Sequence, residues 1–222
     1  MVASPFKKAQ DLPLAIPVFP LDGALLLPHA ALPLQIFEPR YITMVDDAMG
    51  GERIIGMVQT RGAGDPERPM LEQVGCAGKI TAFSETNDGR YLITLSGLCR
   101  FAIRDELSVQ TPYRQARVDF MPYETDLEPI GDDDEGFDRL RMLAALKNYL
   151  ERRGLDVDWE TARAAPAEAL VNSLAMALPF DPPEKQALLE APSLPGRRET
   201  LVALMEIDAI AASDEDQPTT LQ

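Results

Sequence analysis

Few of the 222 residues carry side chains able to do bond-making chemistry together, and their spacing decides what that chemistry would be. The one histidine, His29, follows Pro28. A nucleophile needs a base within hydrogen-bond reach, and a lone imidazole beside a turn reads as a structural group. The two cysteines, Cys76 and Cys99, form no C-x-x-C pair. With a single histidine they do not complete the usual zinc ligand set, and they are too few for a disulfide framework. They read as two reduced, buried thiols of a cytosolic protein. The run Asp132-Asp133-Asp134-Glu135 lacks the glycine that a calcium loop needs at a fixed offset. It reads as a solvated linker ahead of a helix whose N-terminus favours negative charge. No G-x-x-x-x-G-K-[ST] is present, and Gly62 and Gly64 supply only part of G-x-G-x-x-G. No G-x-S-x-G occurs either, and nothing singles out two of the 36 acidic residues as a catalytic pair. Trp159, between Asp158 and Glu160, reads as packing between helices rather than as a ligand platform. The expectation is a protein that is not an enzyme, with no catalytic residues, no metal site and no cofactor.

Charge narrows the partners. The formal net charge is −15, and it is unevenly spread. Met1 to Pro122 holds 12 basic and 14 acidic residues, whereas Tyr123 to Gln222 holds 9 basic and 22 acidic. Binding to a phosphate backbone relies on Lys and Arg releasing counterions. An acidic second half and a balanced first half both argue against nucleic acid. No apolar run reaches the roughly 20 residues of a membrane helix, and Lys7 and Lys8 precede no apolar stretch of signal-peptide type. A cytoplasmic location is expected.

These residues must be positioned by elements of two kinds. The first half reads as short strands and turns. Apolar runs occur at Ile16–Phe19, Leu25–Leu27 and Leu32–Phe37, with Pro13, Pro17, Pro20, Pro28 and Pro33 at edges and bends. Pro39 suits the first turn of a helix, in which Tyr41, Met44, Val45 and Ala48 share one face and Gly50-Gly51 provides the stop. Ile54–Val58 reads as a strand and residues 61–70 as an exposed loop. Gly78–Ser84 and Tyr91–Leu95 flank Asn87-Asp88-Gly89 as a hairpin, Gly97 marks a bulge, and Tyr113–Phe120 is the last strand. This pattern fits a barrel or sandwich better than a parallel α/β sheet.

Helical spacing takes over after the acidic run. Phe137, Leu140, Leu143, Leu146 and Leu150 mark a first buried stripe ending near Gly154. Pro166 opens a helix with Leu170, Val171, Leu174, Ala175 and Leu178 inward. Asp181-Pro182-Pro183-Glu184 has the form of an N-cap with Glu three residues on. A last helix follows Gly196 with Leu201, Leu204, Met205 and Asp208 at helical intervals. The class is α+β: residues 13–122 form a β-rich part, 133–211 a helical part, and 1–12 and 213–222 flexible termini.

One ordered signature goes further. Ile16-Pro17-Val18-Phe19-Pro20-Leu21, then Pro28, then Leu32-Pro33-Leu34-Gln35-Ile36-Phe37-Glu38-Pro39-Arg40-Tyr41 resembles the opening of the Lon protease N-terminal, substrate-binding domain family. Ile55-Gly56-Met57-Val58, Val74-Gly75-Cys76-Ala77-Gly78-Lys79-Ile80, Asp88-Gly89-Arg90-Tyr91, Ser96-Gly97-Leu98-Cys99-Arg100-Phe101 and Glu184-Lys185-Gln186-Ala187-Leu188-Leu189-Glu190 extend it over roughly residues 13 to 210. The resemblance implies a PUA-like β-barrel or pseudobarrel followed by a helical bundle. In Lon proteases an ATPase and a Ser-Lys peptidase follow this region, and this chain is expected to stop before either. It also implies a non-catalytic role: binding peptides or unfolded and damaged protein segments as an adaptor linked to proteolysis, with a protease or chaperone as a further partner. The alternative it brings is a PUA-like small-ligand or RNA-binding module. Physically, the signature's prolines bend the strands, Phe19 and Phe37 fill the barrel, and Glu38 with Arg40 either pairs locally or caps the helix. Residues expected to line a binding groove between barrel and helices are Phe37, Tyr41, Leu71 and Phe83.

Overall fold

The structure, a computed structural model, describes residues 6–65, 68–129 and 136–215, with side chains throughout except at 63–65 and 209–215. The acidic run Asp132–Glu135 and the expectations attached to it lie outside the described residues, as do residues 216–222 of the expected tail, whose first residues, 213–215, instead continue the last helix. In chain order the elements are β1 (Ala15–Pro20), β2 (Ala31–Ile36), α1 (Pro39–Met49), β3 (Ile54–Val58), β4 (Thr60–Asp65), β5 (Arg68–Leu71), β6 (Val74–Glu85), β7 (Tyr91–Glu106) and β8 (Gln115–Asp119). They are followed by α2 (Arg139–Arg153), α3 (Trp159–Ala164), α4 (Ala167–Ala177), α5 (Pro182–Glu190) and α6 (Leu194–Glu215).

The long strand β7 organises the sheet. Its first half pairs antiparallel with β2, from Ala31 opposite Ser96 to Ile36 opposite Tyr91. Its second half pairs with β8, from Ala102 opposite Asp119 to Glu106 opposite Ala116. Because β6, β3 and β1 continue from the other side of β7 to β8, five strands close into a ring, with β1 and β3 parallel and the other pairings antiparallel. Strand β2 stays outside that ring with one partner. The expected bulge is present: Gly78 faces Gly97 and Ala77 faces Cys99, leaving Leu98 as the extra residue. The expected turn is present as well, with Gly89 at φ +79°.

Two cores result. One lies inside the ring and under its ends, built from Ile16, Val18, Ile54, Leu71, Cys99, Phe101 and Val118. The other is shared between sheet and helices: Phe19, Leu25, Leu26, Leu27, Ile36, Tyr41 and Leu95 pack with Met142, Leu146, Tyr149, Val171, Leu188 and Leu201. The β-rich and helical parts therefore bury a common apolar interior.

Several expectations change. Leu25–Leu27 is not a strand but an irregular, fully buried strut. An apolar run reports burial, and here the backbone passes so close to β7 that a Cβ at Gly97 would lie 2.0 Å from the Leu27 oxygen. Residues 61–70, read as a loop, carry the two-stranded ribbon β4–β5. Residues 6–12, read as flexible, lie against the barrel with Phe6, Ala9 and Leu12 buried. In α2 the buried face is Met142, Ala145, Leu146, Tyr149 and Leu150, and Leu140 is 83% exposed. A stripe phased on Leu140 does not hold, because Asp138 caps the helix by accepting from the Arg141 N–H at 2.9 Å, which leaves Leu140 in the first turn on the outer side. The short helix α3 is additional to the expected elements, and α6 begins two residues before Gly196. Phe37 does not fill the barrel: it is 62% exposed, while Phe19 is buried.

Candidate binding surface

Two arrangements, one polar and one apolar, adjoin at the barrel–helix boundary, where His29 and Glu168 line both. The first is a buried polar junction. Arg100 of β7, 4% exposed, makes a two-pronged pair with Asp126: Nε donates to Oδ2 at 2.8 Å and Nη2 to Oδ1 at 2.8 Å. Its Nη1 donates to the carbonyls of Leu189 and Ala191 at the end of α5, at 3.1 and 2.6 Å. Arg197 of α6 donates from Nε to the Leu188 carbonyl at 3.0 Å and from Nη1 to Asn172 Oδ1 at 3.0 Å. Two guanidiniums thus meet the negative end of α5, where cations are favoured. Burial lowers the Arg197 pKa to about 10, and Arg100 nearby adds to the effect, so Arg197 still carries its charge at neutral pH. Asn172 Nδ2 completes the chain by donating to the Pro28 carbonyl at 3.0 Å.

Beside it, His29 Nδ1 lies 2.9 Å from Glu168 Oε1 of α4. The Glu168 hydrogen bond raises the His29 pKa against the opposing effect of burial. His29 holds a left-handed backbone at φ 63°, uncommon for a residue with a side chain. Lys185 is buried too. It donates to the Gly23 carbonyl at 2.7 Å, and burial lowers its pKa. A cleft of about 370 Å³ opens here, lined by His29, Arg100, Asp126, Glu168 and Arg197 among others. Of the carboxylates lining it, Asp126 and Glu168 are paired with Arg100 and His29 and tie barrel to helices, and Glu128 lines it as well. Cys76 and Cys99 are free, buried thiols whose pKa values burial pushes up, so neither is a thiolate nucleophile. Among the described residues no cluster of three or more His, Cys, Asp or Glu is placed to hold a metal. No helix among them is long and apolar enough to cross a membrane.

The second arrangement is apolar and open. A groove of about 490 Å³ runs between the start of β2 and α4, lined by Ala31, Leu32, Pro33, Ala169, Met176 and Ala177 among others. A second, of about 450 Å³, spreads over the far end of the same strand and the β6–β7 hairpin, with Pro33, Leu34, Phe83, Leu92 and Ile93 in its lining. Phe83 and Leu92 are 42% and 45% exposed. The Phe83 ring meets Tyr91 edge-on at 4.8 Å, and Tyr91 is the strand partner of Ile36, the residue before Phe37.

The four residues expected to line a groove are therefore split. Phe37 and Phe83 are exposed at the β2–β7–β6 end, whereas Tyr41 and Leu71 are buried in different cores. Tyr41 stacks on Phe19 with ring centroids 4.2 Å apart. Its place on the inner stripe of α1 with Met44 and Val45 accounts for this. Leu71 ends β5 turned into the ring core. Leu92, Pro33 and Met176 were missed. The signal for Leu92 was present, since it alternates out of phase with the inward Ile93 and Leu95.

A ring-closed PUA-like barrel capped by helices, with an apolar surface where strand and helix diverge, defines an α+β binding domain. The family model of the ATP-dependent protease La (LON) substrate-binding domain matches residues 15–206, and the chain belongs to that family. It is 29% identical over 208 residues to Lon protease 2 of Myxococcus xanthus, covering 88% of this chain and 24% of the relative. It is 28% identical over 208 residues to the Lon protease of Anaeromyxobacter dehalogenans, covering 88% and 23%. The chain thus spans about a quarter of the length of these relatives, and the match is to their substrate-binding part. Among solved structures it is similar to a Lon N-terminal domain protein from Xanthomonas campestris, with a TM-score of 0.58, 25% identity, and 85% of this chain and 97% of that one covered. The N-terminal domain of Mycobacterium avium complex Lon protease shares the fold, with a TM-score of 0.61 at 19% identity over 86% and 98% of the two chains.

Proposed function

We propose that this chain binds exposed apolar segments of unfolded or damaged proteins and, doing no bond chemistry itself, acts as an adaptor in proteolysis. The observation that carries the reading is the apolar surface along β2 and the β6–β7 hairpin, where two grooves, Phe37, Phe83 and Leu92 are left uncovered. Exposed apolar patches of this kind mark interaction sites. The family supports a substrate-recognition role. A protease or chaperone is the partner to which bound segments pass, and the cytoplasm is the compartment.

The test is a titration of the purified chain with one model protein in two forms, native and permanently unfolded by chemical blocking of its thiols. Binding of the unfolded form in the micromolar range, about −8 kcal/mol, with none to the native form, is expected. Equal binding of both forms, or of neither, would remove the proposal.

A further inference from the structure

The free edge of β2 has a donor and acceptor pattern of its own. Gly97 N–H donates to the Ala30 carbonyl at 2.8 Å, so Ala30 points its carbonyl toward β7. Backbone direction alternates along a strand. Leu32, Leu34 and Ile36 therefore bond to β7, and Ala31, Pro33 and Gln35 point away from it. Pro33 fits this phase, because proline has no N–H to give and sits in strands only where none is needed. The outward edge thus offers two N–H donors, at Ala31 and Gln35, and three carbonyl acceptors, at Ala31, Pro33 and Gln35. None of them has a hydrogen-bond partner among the described residues. The groove between this strand and α4 lies alongside, and apart from His29 and Glu168 at one end its lining is uncharged.

We infer that the chain captures its segments by strand addition: an extended polypeptide pairs with the outer edge of β2 and sets alternate apolar side chains into the groove against α4. This rests on the proposed function and names its mode. Unpaired edge groups are a template for a further strand, and main-chain bonds supply affinity without fixing sequence. The occupant follows from the chemistry. Two donors and three acceptors in extended register are complementary to a backbone, and an apolar groove beside them suits small aliphatic side chains. The missing donor at Pro33 leaves one occupant carbonyl unpaired, so the pairing is weaker than a full ladder and releasable.

The experiment uses the full chain and a short blocked peptide of alternating valine and threonine, compared with the same peptide N-methylated on alternate residues to remove the donors facing β2. Affinity for each is measured, together with hydrogen exchange at the Ala31 and Gln35 amides. Strand addition predicts that the plain peptide binds and slows exchange at both amides, that methylation in one phase weakens binding at least tenfold while the opposite phase does not, and that Gln35→Pro weakens it several-fold with the fold intact. Binding that ignores methylation would overturn the inference and leave the proposed function standing. No binding of the plain peptide, together with no binding of an unfolded protein, removes both. Two other occupants have their own signatures, and either would overturn the inference: concentration-dependent dimerisation abolished by Gln35→Pro, for a second copy, or amides protected without peptide at every dilution, for a segment of the chain itself.

Discussion

The junction around Arg100 and the edge of β2 lie on opposite ends of one structural scale. At the junction, charged groups are buried and paired. At the edge, backbone groups and apolar side chains are exposed and unpaired. The first arrangement resists change because any removal strands a partner away from water. The second is tolerant in the folded state and gains something only when another molecule arrives. The buried charged side chains around Arg100 therefore act as scaffold, and the proposed binding surface is built from uncharged groups.

That contrast can be broken at its strongest point. Arg100→Met should destabilise the fold by roughly 3–5 kcal/mol, because Asp126 is left buried without its cation. Chemical denaturation measures this, and the double variant Arg100→Met with Asp126→Leu should recover most of it. A loss below about 1 kcal/mol would place the pair on the surface in energetic terms. Next comes Gly97→Ala. With backbone atoms 2.0 Å from the new Cβ, β7 and the Leu25–Leu27 strut must separate, and roughly 3 kcal/mol is expected, the upper end of overpacking costs. At the edge the expectation inverts. Leu92→Ser should shift stability by no more than about 0.5 kcal/mol, yet weaken binding of an unfolded protein by roughly 1 kcal/mol, a factor of about five.

The smallest effect sharpens the comparison where the two regions touch. Glu168 raises the pKa of His29. A histidine whose folded pKa exceeds its unfolded value of about 6.5 adds stability that is fully present below that pH and disappears as pH climbs through the raised pKa. Both side chains keep some contact with water, so the gain is of the order of 1 kcal/mol or less. Thermal unfolding between pH 5 and 8 should show it, and His29→Gln should flatten the profile.

How much of this was readable beforehand depends on how local the cause is. The helix α1 was legible because Pro39, the repeat of Tyr41, Met44, Val45 and Ala48, and Gly50 all act within one element. The hairpin at Gly89 and the bulge beside Gly97 were legible for the same reason. Leu25–Leu27 misled because apolar character reports burial but not pairing. The groove residues split because Phe37 and Tyr41, four apart, fall on either side of a helix start, where an extended segment gives way to an inward stripe. The Arg100 site was invisible, since Asp126, Leu189 and Ala191 are brought to it only by the closure of the barrel and the seating of α5. The β2 edge was half visible: Pro33 announced a position needing no donor, but that β7 would spend its second half on β8 is a property of the ring.

The strut at Leu25–Leu27 bears on how the molecule can be divided. Its three leucines belong to the same buried cluster as Leu95 of the sheet and Leu146, Val171 and Leu188 of the helices. Cutting the chain between its β-rich and helical parts would leave each fragment with a greasy wound where the other had been. The two parts should melt together in one transition, so the groove between β2 and α4 keeps its width only while the whole unit stands.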